Sequence, residues 1–484
     1  MNVVHNCVFH HHFNFNISIL NKSTITTTTI VILLKNMERK RLKILFLSSD
    51  GAGHINACVG LGQEFAKRGH SVHFFTSPKN VGNFEKLGFK EILLEIKQHD
   101  DNQKQDSSQL RNSIVKSDLL ADLSPYDQLD VFDRHKNSDF FAISMVQEIV
   151  KVHQQIKQVI EDEKPNLIIV DYILVAPCIA YGNVPWAYLC SHNPLHLFNS
   201  QLLPPITSGL PSHDRTGWAD FYDKFRRTYH SSLQHFQNVL NKHYGYSQVV
   251  NQDQFILTSP HLNIYGYPDE LDYTDIITPA DNVVRLDAFF RQSIDHHQVF
   301  ELPEQFKAKL TAGDGQVKLI YFSLGTFGST NVKLMQKIID ELATCKHQII
   351  VSTGQSHQQL SLGDNMFGQS HLPQMAILSM VDLVITHGGN NTVTETMANG
   401  KPMIVMPLFA DQHDNAQRIM EKGYGHRINP HRFRPNELNL LVDQILADNT
   451  MIERCAKAGH RIRDSNSKAK ACEKIEQLLS GHIQ

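Results

Sequence analysis

The stretch 382–412, DLVITHGGNNTVTETMANGKPMIVMPLFADQ, constrains the fold more than any other part of the chain. An apolar run at 383–385 is short enough for a buried strand. A tight polar turn follows, His387-Gly388-Gly389-Asn390-Asn391, and then a helical stretch from Thr392 to Asn399 that closes at Gly400. After Pro402 comes a second apolar run, 403–406. Strand, glycine turn, helix, strand is the parallel βαβ unit. Its turn lies beyond the carboxyl end of a strand, where such units bind ligands. A helix that begins there aims free N–H groups and the positive end of its dipole outward, which suits a phosphate. The stretch therefore predicts a pocket for a nucleotide diphosphate.

With 484 residues the chain exceeds one ordinary core, so two or three domains are expected. A net charge of −3, with 20% charged residues, leaves no basic excess to hold a nucleic acid backbone. The seven cysteines are scattered and form no CxxC pair, which reads as free thiols in a reducing compartment. No run reaches the ~20 apolar residues that a membrane span needs. Residues 1–36, rich in His, Asn and Thr, read as a disordered extension or a misplaced start, with the true one at Met37, in preference to a targeting segment.

Order begins at Leu42. LKILFLSS is a buried strand, DGAGHINA a turn, and a helix runs to Lys67-Arg68-Gly69. HSVHFFTS continues the first βαβ, and 88–96 is a further strand. Residues 97–135 are polar and read as an exposed insertion. A helix at 140–160 ends before Pro165, and strands follow at 166–171 and 184–191. Residues 192–275 carry aromatics and prolines without a clean period, around one expected helix FYDKFRRTYHSSLQHFQNVL, and could line a greasy pocket. The expected division is an N-terminal domain at 37–291, a linker at 292–315, a second βαβ series at 316–465 and a terminal helix at 466–484 that packs back on the first domain. Two such series facing one another make a cleft, a common ligand site.

Within the organising stretch, His387 can hydrogen-bond an oxyanion, and Gly388 and Gly389 admit backbone close to it. Asn391 and Thr392 stand at the helix start, within reach of a phosphate. Glu395 lies one turn on, where a carboxylate can accept from a pair of vicinal hydroxyls. Asp411-Gln412 puts a second polar pair at the same sheet edge. Taken alone, the pattern is equally that of a capped helix, a glycine turn and a solvated Glu. His54 sits at a strand-to-helix turn flanked by glycine, but it is one of 28 histidines and carries no argument by itself. Histidine suits a general base near neutrality. Asp171, ending its strand at the same edge, would fix the imidazole tautomer. GAGHIN falls short of the dinucleotide fingerprint, since Asn56 replaces the third glycine and no acidic residue ends the next strand. There is no GxxxxGK[ST] loop and no Asp-x-Asp pair.

His387-Gly388-Gly389-Asn390-Asn391-Thr392, then Glu395, Pro402, Pro407 and Asp411-Gln412, resembles the signature of family 1 glycosyltransferases, the UDP-dependent enzymes of animals, plants and bacteria. His371-Leu372-Pro373-Gln374 stands where that signature begins, and FSLGT, GAGHINA and IIVDY extend the likeness over 42–465. The resemblance implies a GT-B fold: α/β, two Rossmann-like doubly wound domains facing across a cleft. It implies diphosphate contacts at His387, Asn391, Thr392 and Thr326, with Gly53, Gly389 and Asn390 also at the donor site. Ribose would be held at Glu395, uracil by His371, Leu372 and Gln374, and the sugar by Asp411 and Gln412. The family commonly has Trp where this chain has His371, and an imidazole stacks with less area. The resemblance implies His54 as base assisted by Asp171.

The expected activity is inverting transfer of a sugar, glucose first, from a UDP-sugar to a hydroxyl of a small lipophilic acceptor held against residues 190–210. No cofactor and no metal are expected, with no nucleic acid partner and no membrane span. A monomer or weak oligomer in the cytoplasm is expected. A sterol- or lipid-type glycosyltransferase, a nucleotide-sugar epimerase and a non-catalytic UDP-sugar-binding relative are the alternatives.

Overall fold

The computed structural model describes residues 41–95, 118–134, 142–250, 255–291, 300–312 and 315–482. The first 36 residues, most of the expected insertion and part of the expected linker lie outside these. Two parallel sheets carry the chain. The first has seven strands: β1 (Lys43–Ser48), β2 (Ser71–Thr76), β3 (Lys90–Leu93), β4 (Leu167–Asp171), β5 (Trp186–Cys190), β6 (Leu262–Gly266) and β7 (Val283–Leu286). Their order is β3-β2-β1-β4-β5-β6-β7. The second has six: β8 (Leu319–Ser323), β9 (Gln348–Ser352), β10 (Met366–Gln369), β11 (Leu383–Thr386), β12 (Met403–Val405) and β13 (Gly425–Arg427), in the order β10-β9-β8-β11-β12-β13.

The strands are near-continuous apolar runs because helices cover both faces of each sheet. β4, β5 and β8 are buried at every position. In each sheet the strand order reverses once, between β1 and β4 and between β8 and β11. There Ser48 is in register with Asp171, and Ser323 with Thr386. An open α/β sheet parts its loops at such a reversal and leaves a crevice. Both crevices coincide with residues singled out from the sequence.

Several elements differ from the sequence expectation. The helix Pro125–Arg134 stands where a polar insertion was expected, with Leu129 and Val131 buried. Its ten residues hold three aspartates and an arginine among the apolar ones, so composition hid its amphipathic face. The expected linker contains the helix Glu304–Ala312, anchored by buried Leu302 and Phe306. β6 was not anticipated: LNIYG is five residues between Pro260 and Pro268, too short to show a period. The expected single helix at 221–240 is Trp218–Phe225, one π turn at Arg226–His230, and Ser231–His243. The organising helix spans Asn390–Ala398 and so begins two residues before Thr392.

The terminal helix Ser467–His482 buries Ala471, Cys472, Ile475 and Leu479 in the same apolar cluster as Ile44, Phe46 and Phe65 of the first sheet's layer. Arg68 holds Glu476 through Nε at 2.6 Å and Nη2 at 2.8 Å. Among the described residues no helix is long and apolar enough to cross a membrane.

Candidate active site

β1 ends at Ser48, and the turn through Gly51 starts the helix Ala52–Lys67, with His54 in its first turn. β4 delivers Asp171 at its last position, fully buried. The two meet: His54 Nδ1 lies 2.9 Å from Asp171 Oδ1. Beside a carboxylate Nδ1 carries the proton, which leaves Nε2 as the basic nitrogen. Burial pulls the His54 pKa down, but the charge of Asp171, its hydrogen bond and the charge of Asp411 outweigh this, and the net shift is upward.

The next strand end adds three residues that sequence reasoning missed. Ser191 Oγ lies 3.0 Å from His54 Nδ1 and donates to Asp171 Oδ1 at 3.2 Å. The His192 ring stands edge-on to His54 with centroids 5.1 Å apart. Burial lowers the His192 pKa against the charge of Asp411, so it is neutral near pH 7. Asn193 N donates to Asp411 Oδ2 at 3.0 Å. The available signal was positional: SerHisAsn follows a buried parallel strand, at the edge where His54 and Asp171 stand.

Across the cleft, the helix Asn390–Ala398 starts at Gly389 with no side chain capping it, so its first N–H groups are open to a ligand. His387 is packed between two glycines. A Cβ on Gly325, whose φ is +70°, would stand 2.5 Å from His387 Cε1, and one on Gly389 2.6 Å from Nε2. Burial pushes the His387 pKa down to about 4, so it meets an oxyanion as a neutral N–H donor. Thr326, exposed, opens the short helix after β8 at this same reversal.

Glu395 is buried and its pKa is pushed up to about 7 by desolvation, against the hydrogen bond from Gln374 Nε2 at 2.6 Å. Gln374 also accepts from Tyr321 Oη at 3.2 Å. Gln374 is thus tied to the Glu395 carboxylate on one side and to Tyr321 on the other. Leu372 is half-buried and His371 exposed beside it. Gln412 uses its side-chain oxygen to accept from Leu408 N at 2.9 Å and Phe409 N at 3.3 Å, which closes the turn around Asp411. Burial raises the Asp411 pKa, opposed by His192 and the Asn193 N–H.

The side-chain amides of two residues expected at the donor site take part in the join between the lobes. Asn390 Nδ2 donates to Ser191 O at 3.2 Å and Gly266 O at 3.0 Å. Asn391 Nδ2 donates to Gly53 O at 2.8 Å. Their backbone N–H groups remain at the helix start. The helix Gln412–Lys422 completes the join. Asp414 accepts from Thr207 N at 2.7 Å and Gly209 N at 2.9 Å, and Arg418 Nε donates to Leu271 O at 2.7 Å. Asn415 accepts from Asn193 Nδ2 at 2.8 Å and donates to Gly388 O at 2.9 Å. Among the described residues no group of three or more His, Cys, Asp or Glu side chains is placed to hold a metal ion.

The geometry can hold an anionic leaving group against an uncapped helix end and set a base opposite it. Comparison with known proteins agrees. Residues 279–461 match the family described as UDP-glucoronosyl and UDP-glucosyl transferase. NDP-glycosyltransferase YjiC of Bacillus subtilis is 21% identical over 453 residues, covering 91% of this chain and 98% of that protein. Human UDP-glucuronosyltransferase 1A10 is 28% identical over 264 residues, 53% of this chain and 49% of that protein. The solved glycotransferase of kitacinnamycin superposes with a TM-score of 0.63 at 18% identity, over 91% of this chain and 99% of that one, and shares the fold. Residues 279–461 thus resemble the UDP-glucoronosyl and UDP-glucosyl transferases, and the chain, with the GT-B fold of two Rossmann-like domains, is a glycosyltransferase that takes a sugar from a nucleotide-sugar donor.

Proposed function

We propose that the enzyme transfers glucose from UDP-glucose to a hydroxyl of a small lipophilic acceptor with inversion at the anomeric carbon. His54 Nε2 takes the hydroxyl proton as the oxygen attacks, and Asp171 steadies the imidazolium that forms. The C1–O bond to the diphosphate breaks as the new C1–O bond forms, and UDP leaves against the N-terminus of the helix Asn390–Ala398. That helix end, His387 and Thr326 meet the leaving charge, so the reading needs no metal. Glu395 holds the ribose hydroxyls, which favours a ribonucleotide, and Asp411 faces the sugar with Gln412 bracing its turn. His371 with Leu372 offers a face to the base.

The observation that carries this reading is the His54–Asp171 pair at 2.9 Å at one strand-order reversal, joined through Gly53 and Asn391 to the uncapped helix at the other. The family description names UDP-glucuronosyl and UDP-glucosyl transfer alike, which supports a UDP donor. Buried free cysteines support a reducing compartment, and we place the enzyme in the cytoplasm as a monomer or weak oligomer acting on lipophilic compounds such as xenobiotics.

The test is a panel of phenols, sterols and other lipophilic alcohols incubated with UDP-glucose, UDP-glucuronic acid and dTDP-glucose, with anomeric configuration read by NMR. Transfer of glucose from the uridine donor, inverted, is expected. A retained anomer, or a preference for the deoxynucleotide, overturns the corresponding part. His54→Ala should bind UDP as the parent does and lose transfer.

A further inference from the structure

We propose that Ser191 is a positioning residue for the transfer: its hydroxyl locks the His54 imidazole with Nε2 toward the acceptor. The proposal rests on the reading of His54 as the base. Ser191 Oγ, His54 Nδ1 and Asp171 Oδ1 form a closed triangle with sides of 3.0, 2.9 and 3.2 Å. The hydrogens in that triangle have one consistent assignment. Nδ1–H points between Asp171 Oδ1 and Ser191 Oγ. The hydroxyl hydrogen then goes to Oδ1, because Nδ1 is already a donor. Flipping the ring would break both contacts at once.

Ser191 is held in this place from the other side. It is buried, and its carbonyl accepts from Asn390 Nδ2 at 3.2 Å. Two residues on, Asn193 N is fixed by Asp411 at 3.0 Å and Asn193 Nδ2 by Asn415 at 2.8 Å. The strap 191–193 therefore joins the base to the donor lobe, and the hydroxyl cannot drift from the imidazole while the lobes are docked. Asp171 Oδ2 is buried without a hydrogen-bond partner, so the bonds on Oδ1 are the ones that place this carboxylate's side chain. The groups that face the imidazole are Asp171, His192 and Asp411, with the Cys58 thiol beside Asp171 kept neutral by burial.

The sign of the effect follows. The Ser191 hydroxyl shares the charge of Asp171. Without it that charge falls on His54 alone and the imidazole becomes easier to protonate. The ring also gains freedom to turn.

The experiment compares Ser191→Ala, Ser191→Thr and His54→Ala in the full-length enzyme, by kcat, donor KM and the pH dependence of kcat/KM. Ser191→Ala should lower kcat roughly tenfold or more, keep donor KM within about twofold, and move the acidic limb up by about 0.5 pH unit, the effect of one hydrogen bond on a titration. Ser191→Thr, which keeps the hydroxyl, should restore both kcat and the limb. Should Ser191→Ala not fold, Ser191→Cys, near-isosteric with a weak donor, carries the same comparison. An unmoved limb and a parental kcat in Ser191→Ala overturn the proposal, as does a loss that Thr fails to restore. If His54→Ala keeps transfer, the base assignment itself fails. If His54→Ala is dead and Ser191→Ala is parental, the base stands and the role of Ser191 alone falls.

Discussion

The side-chain amide of Asn391 donates to the carbonyl of Gly53 across 2.8 Å. One end belongs to the first turn of the donor-side helix, the other to the residue before His54. The helix start proposed to receive the leaving group and the turn that carries the proposed base meet directly in this bond, one of several between the lobes. Such a bond contributes only ~1 kcal/mol net, so its value lies in alignment.

Asn391→Ala should therefore change the melting temperature by no more than about 3 °C. UDP affinity by calorimetry should stay within about twofold, while kcat falls roughly tenfold, since misplacement acts on the transition state. A large loss of UDP affinity with unchanged kcat would mean that the amide serves the phosphate instead.

Gly325 has φ +70°, and a Cβ there would stand 2.5 Å from the His387 ring. Gly325→Ala has to push the imidazole out of its place between the two glycines, and so off the diphosphate in the proposed reading. The expected result is a folded enzyme with a donor KM raised about tenfold, equivalent to ~1.4 kcal/mol. Parental donor KM would show that His387 lies off the path of the diphosphate.

Burial pushes the Glu395 pKa up to about 7. Ribose hydroxyls donate, so they bind the ionised carboxylate and favour loss of its proton. Donor affinity should accordingly rise with pH through about 7, and UDP binding near that pH should release protons. Calorimetry in buffers of different ionisation enthalpy measures the release, and Glu395→Gln should abolish it and weaken donor binding. A UDP affinity flat in pH in the parent enzyme would remove Glu395 from the ribose.

His54 must be neutral to accept a proton, and its pKa lies above the ordinary 6.5 because Asp171 and Asp411 overcome burial. Activity should fall as pH drops through a limb above 6.5. In Asp171→Asn burial is opposed by much less charge, so the limb should move to lower pH and kcat should fall roughly 10²–10⁴-fold. An unchanged limb in that variant would detach the carboxylate from the base.

Asp414 holds two backbone N–H groups of the opposite lobe, Thr207 and Gly209, at φ +65° and +57°. Asp414→Ala orphans both donors, at about 1–3 kcal/mol each. A clear drop in melting temperature is expected, with donor affinity less affected than acceptor turnover. Parental melting would show that the clasp adds nothing to the join.

Most of the strands were legible in the sequence, because burial on both faces forces runs such as LKILFLSS and NLIIVD that no exposed element would carry. LNIYG escaped, since five residues between prolines show no period and only pairing with β5 and β7 makes them a strand. The helix Pro125–Arg134 escaped because its apolar positions are few, and it is packing that selects them.

The site divides along the same line. Local chemistry determined the glycine turn at 387–389, the uncapped helix behind it, and the candidate pair His54 and Asp171, each fixed by its place at a strand end. Long-range contacts decided the rest. Asn390 and Asn391 face the other lobe and Gln374 faces Glu395. Ser191 closes on His54 from 137 residues away. Hydrogen-bond partners so distant in sequence leave no periodic trace; they exist only once the two sheets have brought their strand ends together.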